Sequence, residues 1–154
     1  MGLFRTRGYS RIRIWHGMIW MKVFRDDRGE KMNKIFVLIG SLNMLISVAL
    51  GAFGAHGLKE KLSADLLEIY QTGVQYHMIH AVGILLIAIF SEKFQGTSLV
   101  AWSGWLLFIG IIIFSGSLYA LSMTGIRMLG AITPFGGVAF IIGWLLLAIA
   151  ALKA

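Results

Sequence analysis

Polar and apolar residues follow one another along this chain in long blocks. Four stretches of about 17 to 23 residues are almost wholly apolar, and none of them contains Asp, Glu, Lys or Arg. They cover about 35–55, 74–90, 99–121 and 133–152. A bilayer core about 30 Å thick is crossed by roughly 20 residues of α-helix. The pattern therefore predicts four membrane-spanning helices.

The connections between these stretches are short, which makes successive helices antiparallel neighbours. We expect an all-α fold, an up-down-up-down four-helix bundle in the membrane. Between spans one and two, Ser63 offers an N-cap, and apolar residues recur at Leu66, Tyr70 and Val74 with polar residues between them. This amphipathic helix either lies along the membrane interface or runs straight into span two.

Composition and motif content support a membrane protein and argue against an enzyme. Hydrophobic residues make up 58% of the chain, charged residues 14%, and the mean hydropathy is +0.80. The chain has no cysteine, and it shows no nucleophile-base pair, paired carboxylates or phosphate-binding loop. We expect no enzymatic activity, no cofactor and no nucleic-acid partner.

Positive charge is concentrated before the first span. Eight of the 14 Lys and Arg residues precede Met32, which divides the chain into a basic extension, 1–31, and a four-span domain, 32–154. The extension is either a surface helix, with Ile12, Trp15 and Ile19 facing the membrane, or upstream sequence read through ahead of Met32. Basic segments that flank a first span stay in the cytoplasm. We therefore expect both termini in the cytoplasm.

Alternation of the spans brings four polar or Gly-rich segments to one end of the bundle, where they form a candidate polar cluster. Its members are His56, Tyr76, His77, His80, Ser115, Tyr119 and Thr133. Asn43, inside span one, is a further candidate, and we expect its amide to bond a neighbouring span rather than to line a path, since buried amides need partners. Small residues on spans one and four predict close helix packing.

Three functions are compatible with these features. The first is an interaction or assembly protein that contacts the lipid bilayer and a partner, either a copy of itself or another membrane protein. The second is a small transporter or channel. The third is a metal- or haem-binding protein, because His77 and His80 share one helical face and His56 could join them. Interfacial histidines bonded to water or backbone carbonyls are the simpler alternative.

Taken in order, four motifs resemble one family. They are GAFGAHGLK at 51–59, TGVQYH at 72–77 followed by His80 and Ala81, FSGSLY at 114–119, and LGAITPFGG at 129–137 followed by Gly143 and Trp144. The chain resembles the small bacterial membrane proteins grouped as domain of unknown function 423, and animal transmembrane protein 256 looks like a relative. The resemblance runs from about Met32 to Lys153. It implies a multi-pass protein of the bacterial plasma membrane and assigns no catalytic or binding residue.

Overall fold

The structure, a computed structural model, describes residues 9–94 and 98–153, with side chains for 31–91, 93–94 and 98–153. Five α-helices make up most of it: α1 (Tyr9–Phe53), α2 (Ala64–Lys93), α3 (Leu99–Gly110), α4 (Gly116–Thr124) and α5 (Thr133–Leu152). A π-helical turn, Gly54–Leu58, extends α1, and a second one, Ile111–Ser115, joins α3 to α4. A 3₁₀ turn, Arg127–Ala131, precedes α5. The described residues contain no strand, which confirms the all-α prediction.

Four segments are long and apolar enough to cross a membrane, as predicted. They are Lys31–Leu58, Ala64–Ser91, Leu99–Thr124 and Arg127–Leu152, which we call spans one to four. Their lengths of 26 to 28 residues exceed the roughly 20 that a bilayer core requires. The interpretation of 1–31 as a surface helix depends on Ile12, Trp15 and Ile19, whose side chains lie outside the described ones.

Span two begins ten residues earlier than the apolar pattern alone predicted. The Ser63 hydroxyl caps α2 by accepting from the Leu66 amide at 3.4 Å, and the helix then continues to Lys93. The amphipathic segment is therefore the first part of α2, the second of the two predicted arrangements. Apolar residues keep their helical spacing through Tyr70 and Val74, and no proline interrupts them, so the helix has no reason to end at the interface.

The helices are arranged around a central pair. α1 packs along α2, α5 packs along α3, and α1 and α5 make almost no direct contact among the described residues. In the most apolar 18 residues of each span, 50% of span two and 44% of span three is buried. The corresponding shares are 22% for span one and 28% for span four. Spans one and four therefore lie on opposite sides of spans two and three and expose most of their surface.

Close contact between backbones holds the α5 side together. A β-carbon at Gly136 would lie 2.7 Å from the Cβ of Phe114 in the second π turn, so only glycine lets the two segments approach. Two serine hydroxyls bond across the same interface, from Ser103 to the Gly143 carbonyl at 2.8 Å and between Ser117 and Thr133 at 2.7 Å. Small residues and short hydroxyls are typical of tightly packed membrane helices.

Candidate functional site

A buried histidine joins three helices. The His77 Nε2 on α2 lies 3.1 Å from Oδ1 of Asn43 on α1, and its Nδ1 lies 3.3 Å from the hydroxyl of Tyr119 on α4. His77 is 4% exposed and Asn43 9%. The polar atoms that the sequence placed in different spans thus satisfy one another inside the protein, as burial of such groups requires.

The direction of these hydrogen bonds follows from the amide. The Asn43 Nδ2 donates to the Ile39 carbonyl at 2.8 Å, which leaves Oδ1 to face His77 as an acceptor. His77 therefore carries its proton on Nε2 and accepts from the Tyr119 hydroxyl at Nδ1. The result is a one-way chain of donors from Tyr119 through His77 and Asn43 to a backbone carbonyl of α1.

This chain reaches deeper into the bundle than the sequence suggested. Asn43 lies near the middle of span one, Lys31–Leu58. The sequence placed His77 at the end of span two because it began that span at Val74, whereas α2 starts at Ala64. Tyr119 lies toward the end of span three, and its ring extends inward to reach His77, because helical side chains lean toward the N-terminus of their helix.

His80 faces a different neighbour, although it is only three residues from His77. Its Nδ1 donates to the Tyr76 carbonyl of its own helix at 2.7 Å. Its ring stacks on Phe140 of α5, with ring centroids 3.4 Å apart and planes 11° apart. Tyr76 stacks on Phe114 with centroids 4.4 Å apart. His80 and Tyr76 therefore belong to an aromatic contact with the α5 side, separate from the His77 chain.

The remaining predicted residues do not join either group. His56 is exposed in the first π turn. The Ser115 hydroxyl is fully buried and has no partner among the described residues, and Thr133 bonds Ser117 instead. The predicted cluster is therefore divided among separate places in the bundle.

The described residues offer no metal site. They contain no group of three or more His, Asp or Glu side chains close enough to hold an ion. Both ring nitrogens of His77 are already bonded to protein atoms, and His80 stacks against Phe140. The arrangement that would bring His56, His77 and His80 onto one ion is absent from this part of the chain.

A groove that the sequence did not reveal lies between α1 and α2, on the side of the bundle near His56. It has a volume of about 320 Å³, and we call it the glutamine groove. Its walls are small residues of α1 and its π turn, and longer residues of α2: Gly51, Gly54, Ala55, Tyr70, Gln71, Val74, Gln75 and Met78. The Tyr70 ring lies over Gly54, and its hydroxyl donates to the Leu50 carbonyl at 2.8 Å, which fixes the end of the groove.

The two glutamines set this groove apart from an ordinary lipid-facing surface. Gln71 and Gln75 are exposed, and neither amide bonds any of the residues that the structure describes. Both belong to the polar face of the amphipathic segment after Ser63, for which the sequence left two placements open, along the interface or continuous with span two. The structure continues this segment into span two from Ala64, so both glutamines occupy the exposed face of a spanning helix.

A second groove separates the same two helices near Lys93. It has a volume of about 690 Å³ and is lined by Asn33, Lys34, Val37, Leu38, Ser41, Ala88 and Ile89. The Ser91 hydroxyl of α2 donates to Asn33 of α1 next to this groove and holds the two helices together at that end. Both grooves thus lie on the α1 side of the bundle.

Comparison with known proteins gives a consistent result. The family model described as "Protein of unknown function (DUF423)" matches residues 50–137. The UPF0382 membrane protein YwdK of Bacillus subtilis is 53% identical over 120 residues, which cover 78% of this chain and 98% of that protein. A UPF0382 membrane protein of Staphylococcus epidermidis is 54% identical over 121 residues, which cover 78% and 97%. No solved structure matches significantly.

Proposed function

Because the chain belongs to the DUF423 family, membrane proteins whose function is unknown, we propose a role from its own geometry: it is a membrane interaction protein that binds a partner through the glutamine groove. It works by contact within the bilayer, without catalysis and without a cofactor. The plasma membrane is its location, with both termini in the cytoplasm, in keeping with the basic residues before span one.

The exposed amides of Gln71 and Gln75 carry this proposal. A carboxamide that faces lipid without a hydrogen-bond partner is costly, because hydrocarbon cannot replace the bonds that water would make. Each amide has two donor hydrogens and one acceptor oxygen to satisfy. A partner with polar groups at this position would remove that cost.

The buried chain at His77 supports the same role. It links α1 to α2 and α4, and the Tyr70 bond to Leu50 adds a second link between α1 and α2. These bonds fix the spacing of the two helices that form the groove walls. A site held in shape before binding loses less freedom when the partner arrives.

A path for solutes receives less support from the same contacts. Asn43, His77 and Tyr119 bond one another, and both grooves open between α1 and α2 at the surface of the bundle. Residues that line a transport path more often face a water-filled cavity. Flux through vesicles that depends on Asn43, His77 or Tyr119 would favour transport over the role proposed here.

Site-specific photo-crosslinking in growing cells tests the interaction. A photoreactive residue in place of Gln75 should yield a discrete adduct heavier than the monomer. The matched control is Ile141, which is 68% exposed on α5, on the opposite side of the bundle, and should yield none. An unmodified monomer at both positions would contradict the proposed role.

A further inference from the structure

We propose that the partner in the glutamine groove is a second copy of this chain, so that the groove is the two-fold interface of a homodimer. This inference rests on the interaction role proposed above and names its partner. The chemistry of the two amides, the shape of the groove wall and the absence of charge among the residues that line it all point the same way.

The amides select the kind of partner. Gln71 and Gln75 lie on the exposed face of α2 that continues through Ile79, Leu86 and Ile89. An acyl chain satisfies the three apolar residues but offers no donor or acceptor to the glutamines. The occupant must therefore present both donors and acceptors at the level of Gln75.

An identical amide meets this requirement. A carboxamide is self-complementary, since the NH₂ of one can donate to the oxygen of the other. A two-fold axis brings the same surface of two copies together, so a residue near the axis meets its own counterpart. Gln75 placed near such an axis would bond Gln75 of the second copy, and Gln71 would lie one turn away on the same face.

The other wall of the groove suits a helix of the second copy. Gly51 of α1 and Gly54 and Ala55 of the following π turn leave this wall without bulky side chains. Small residues let membrane helices approach closely enough for contacts between backbones. Of the described residues that line the groove, none is charged, so two identical surfaces can meet without repulsion.

The exposed face of α5 shows that exposure alone does not require a partner. Phe135, Val138, Ile141 and Leu145 are between 52% and 71% exposed, and all four are apolar. Lipid satisfies such a face completely. The difference between the two sides of the bundle therefore assigns the dimer contact to α1 and α2.

Cysteine crosslinking tests this arrangement directly, because the chain has no native cysteine. Purified full-length Gln75→Cys in phospholipid vesicles should form a disulfide-linked dimer on mild oxidation. Ile141→Cys should stay monomeric under the same conditions. Equal crosslinking at both positions would indicate random collision and would overturn the proposed interface.

Filling the groove is the second test, read out by single-molecule photobleaching of labelled protein in dilute vesicles. Ala55→Phe should abolish the dimer, whereas Ala52→Phe should leave it intact. Both alanines are exposed, Ala52 on α1 and Ala55 on the π turn that extends it, so neither substitution enters the core. Only Ala55 lines the groove. Gln75→Leu should weaken dimerisation about 8-fold, the effect that two average interhelical hydrogen bonds in a membrane predict.

A wild-type protein that stays monomeric at high protein-to-lipid ratio would overturn the dimer. In that event, an adduct between Gln75 and a different protein in cells would leave the interaction role standing, while the absence of any adduct would remove both proposals. Phospholipid that copurifies with the wild type but not with Ala55→Phe, detected by native mass spectrometry of the monomer, would identify lipid as the occupant and would likewise overturn the dimer.

Discussion

The two sides of the bundle join their helices in different ways. On the α1–α2 side, long polar side chains reach across, as in the His77 to Asn43 and Tyr70 to Leu50 bonds, and two grooves remain open. On the α3–α5 side, glycine and serine bring the backbones close together. The α1–α2 side therefore gains stability from side-chain hydrogen bonds, which single substitutions can remove. The α3–α5 side gains it from close backbone packing, which one added methyl group can disrupt.

The largest effect is expected on the close-packed side. Gly136→Ala places a methyl group 2.7 Å from the Cβ of Phe114, too close for the second π turn to remain where it is. We expect a loss of about 3 kcal/mol in unfolding free energy, because overpacking forces the backbone to move. Gly137→Ala is the control, because its added methyl group would lie 3.8 Å from the Phe114 ring, so stability should barely change. Equilibrium unfolding in mixed micelles measures both, and equal effects would refute the close contact.

The next effect separates the two histidines. His77→Phe removes both cross-helix bonds and leaves the Asn43 oxygen and the Tyr119 hydroxyl unpaired in the interior. We expect a loss of about 2 kcal/mol. His80→Phe should cost less than about 1 kcal/mol, because it keeps a ring against Phe140 and loses a bond only to its own helix. Unfolding of both variants under one condition provides the comparison, and the reverse order would contradict it.

Coupling between pairs of substitutions tests whether the two sides of the bundle are energetically separate. Asn43→Leu and His77→Leu should be non-additive by about 1 kcal/mol, since the first removes a bond that the second would also remove. Asn43→Leu and Ser103→Ala belong to opposite sides of the bundle and should add within about 0.5 kcal/mol. A double-mutant cycle in which both pairs add would show that the His77 to Asn43 bond is energetically silent.

The smallest effect concerns the groove wall. Tyr70→Phe removes only the hydroxyl that donates to the Leu50 carbonyl and leaves the ring over Gly54. A bond of this kind contributes about 0.6 kcal/mol on average between membrane helices, so unfolding should shift by that amount. Hydrogen exchange of the Leu50 to Leu58 amides should also rise, because that end of α1 loses its link to α2. Unchanged exchange would show that the Tyr70 to Leu50 bond does not stabilise the π turn.

Much of this fold could be predicted from the sequence, because the signals involved are long. Four uncharged apolar stretches predicted the four spans. Because a buried amide needs a hydrogen-bond partner, Asn43 was expected to bond a neighbouring span. The length of α2 was less accessible, since the polar residues between Ser63 and Val74 resemble an interfacial helix when only periodicity is considered. That one boundary determines the depth of His77 and the exposure of the glutamines.

The composition of the candidate site was harder to predict. Spacing shows that His77 and His80 lie on neighbouring parts of one helix, but three residues turn the helix by about 300°, leaving the two side chains roughly 60° apart. That difference was enough to direct one ring toward α1 and the other toward α5. Which neighbour lies on each side depends on helix packing, a property that no local pattern contains.

The π turn at Ile111–Ser115 gives span three a change of phase. Five residues in π geometry advance the helical wheel by about a quarter turn less than the same five in α geometry. α3 and α4 therefore face different partners: Gly110 meets Phe140 of α5, whereas Tyr119 reaches His77 of α2. If this turn switched to α geometry, α4 would rotate relative to α3. Tyr119 would then turn away from His77 while α3 kept its contacts with α5.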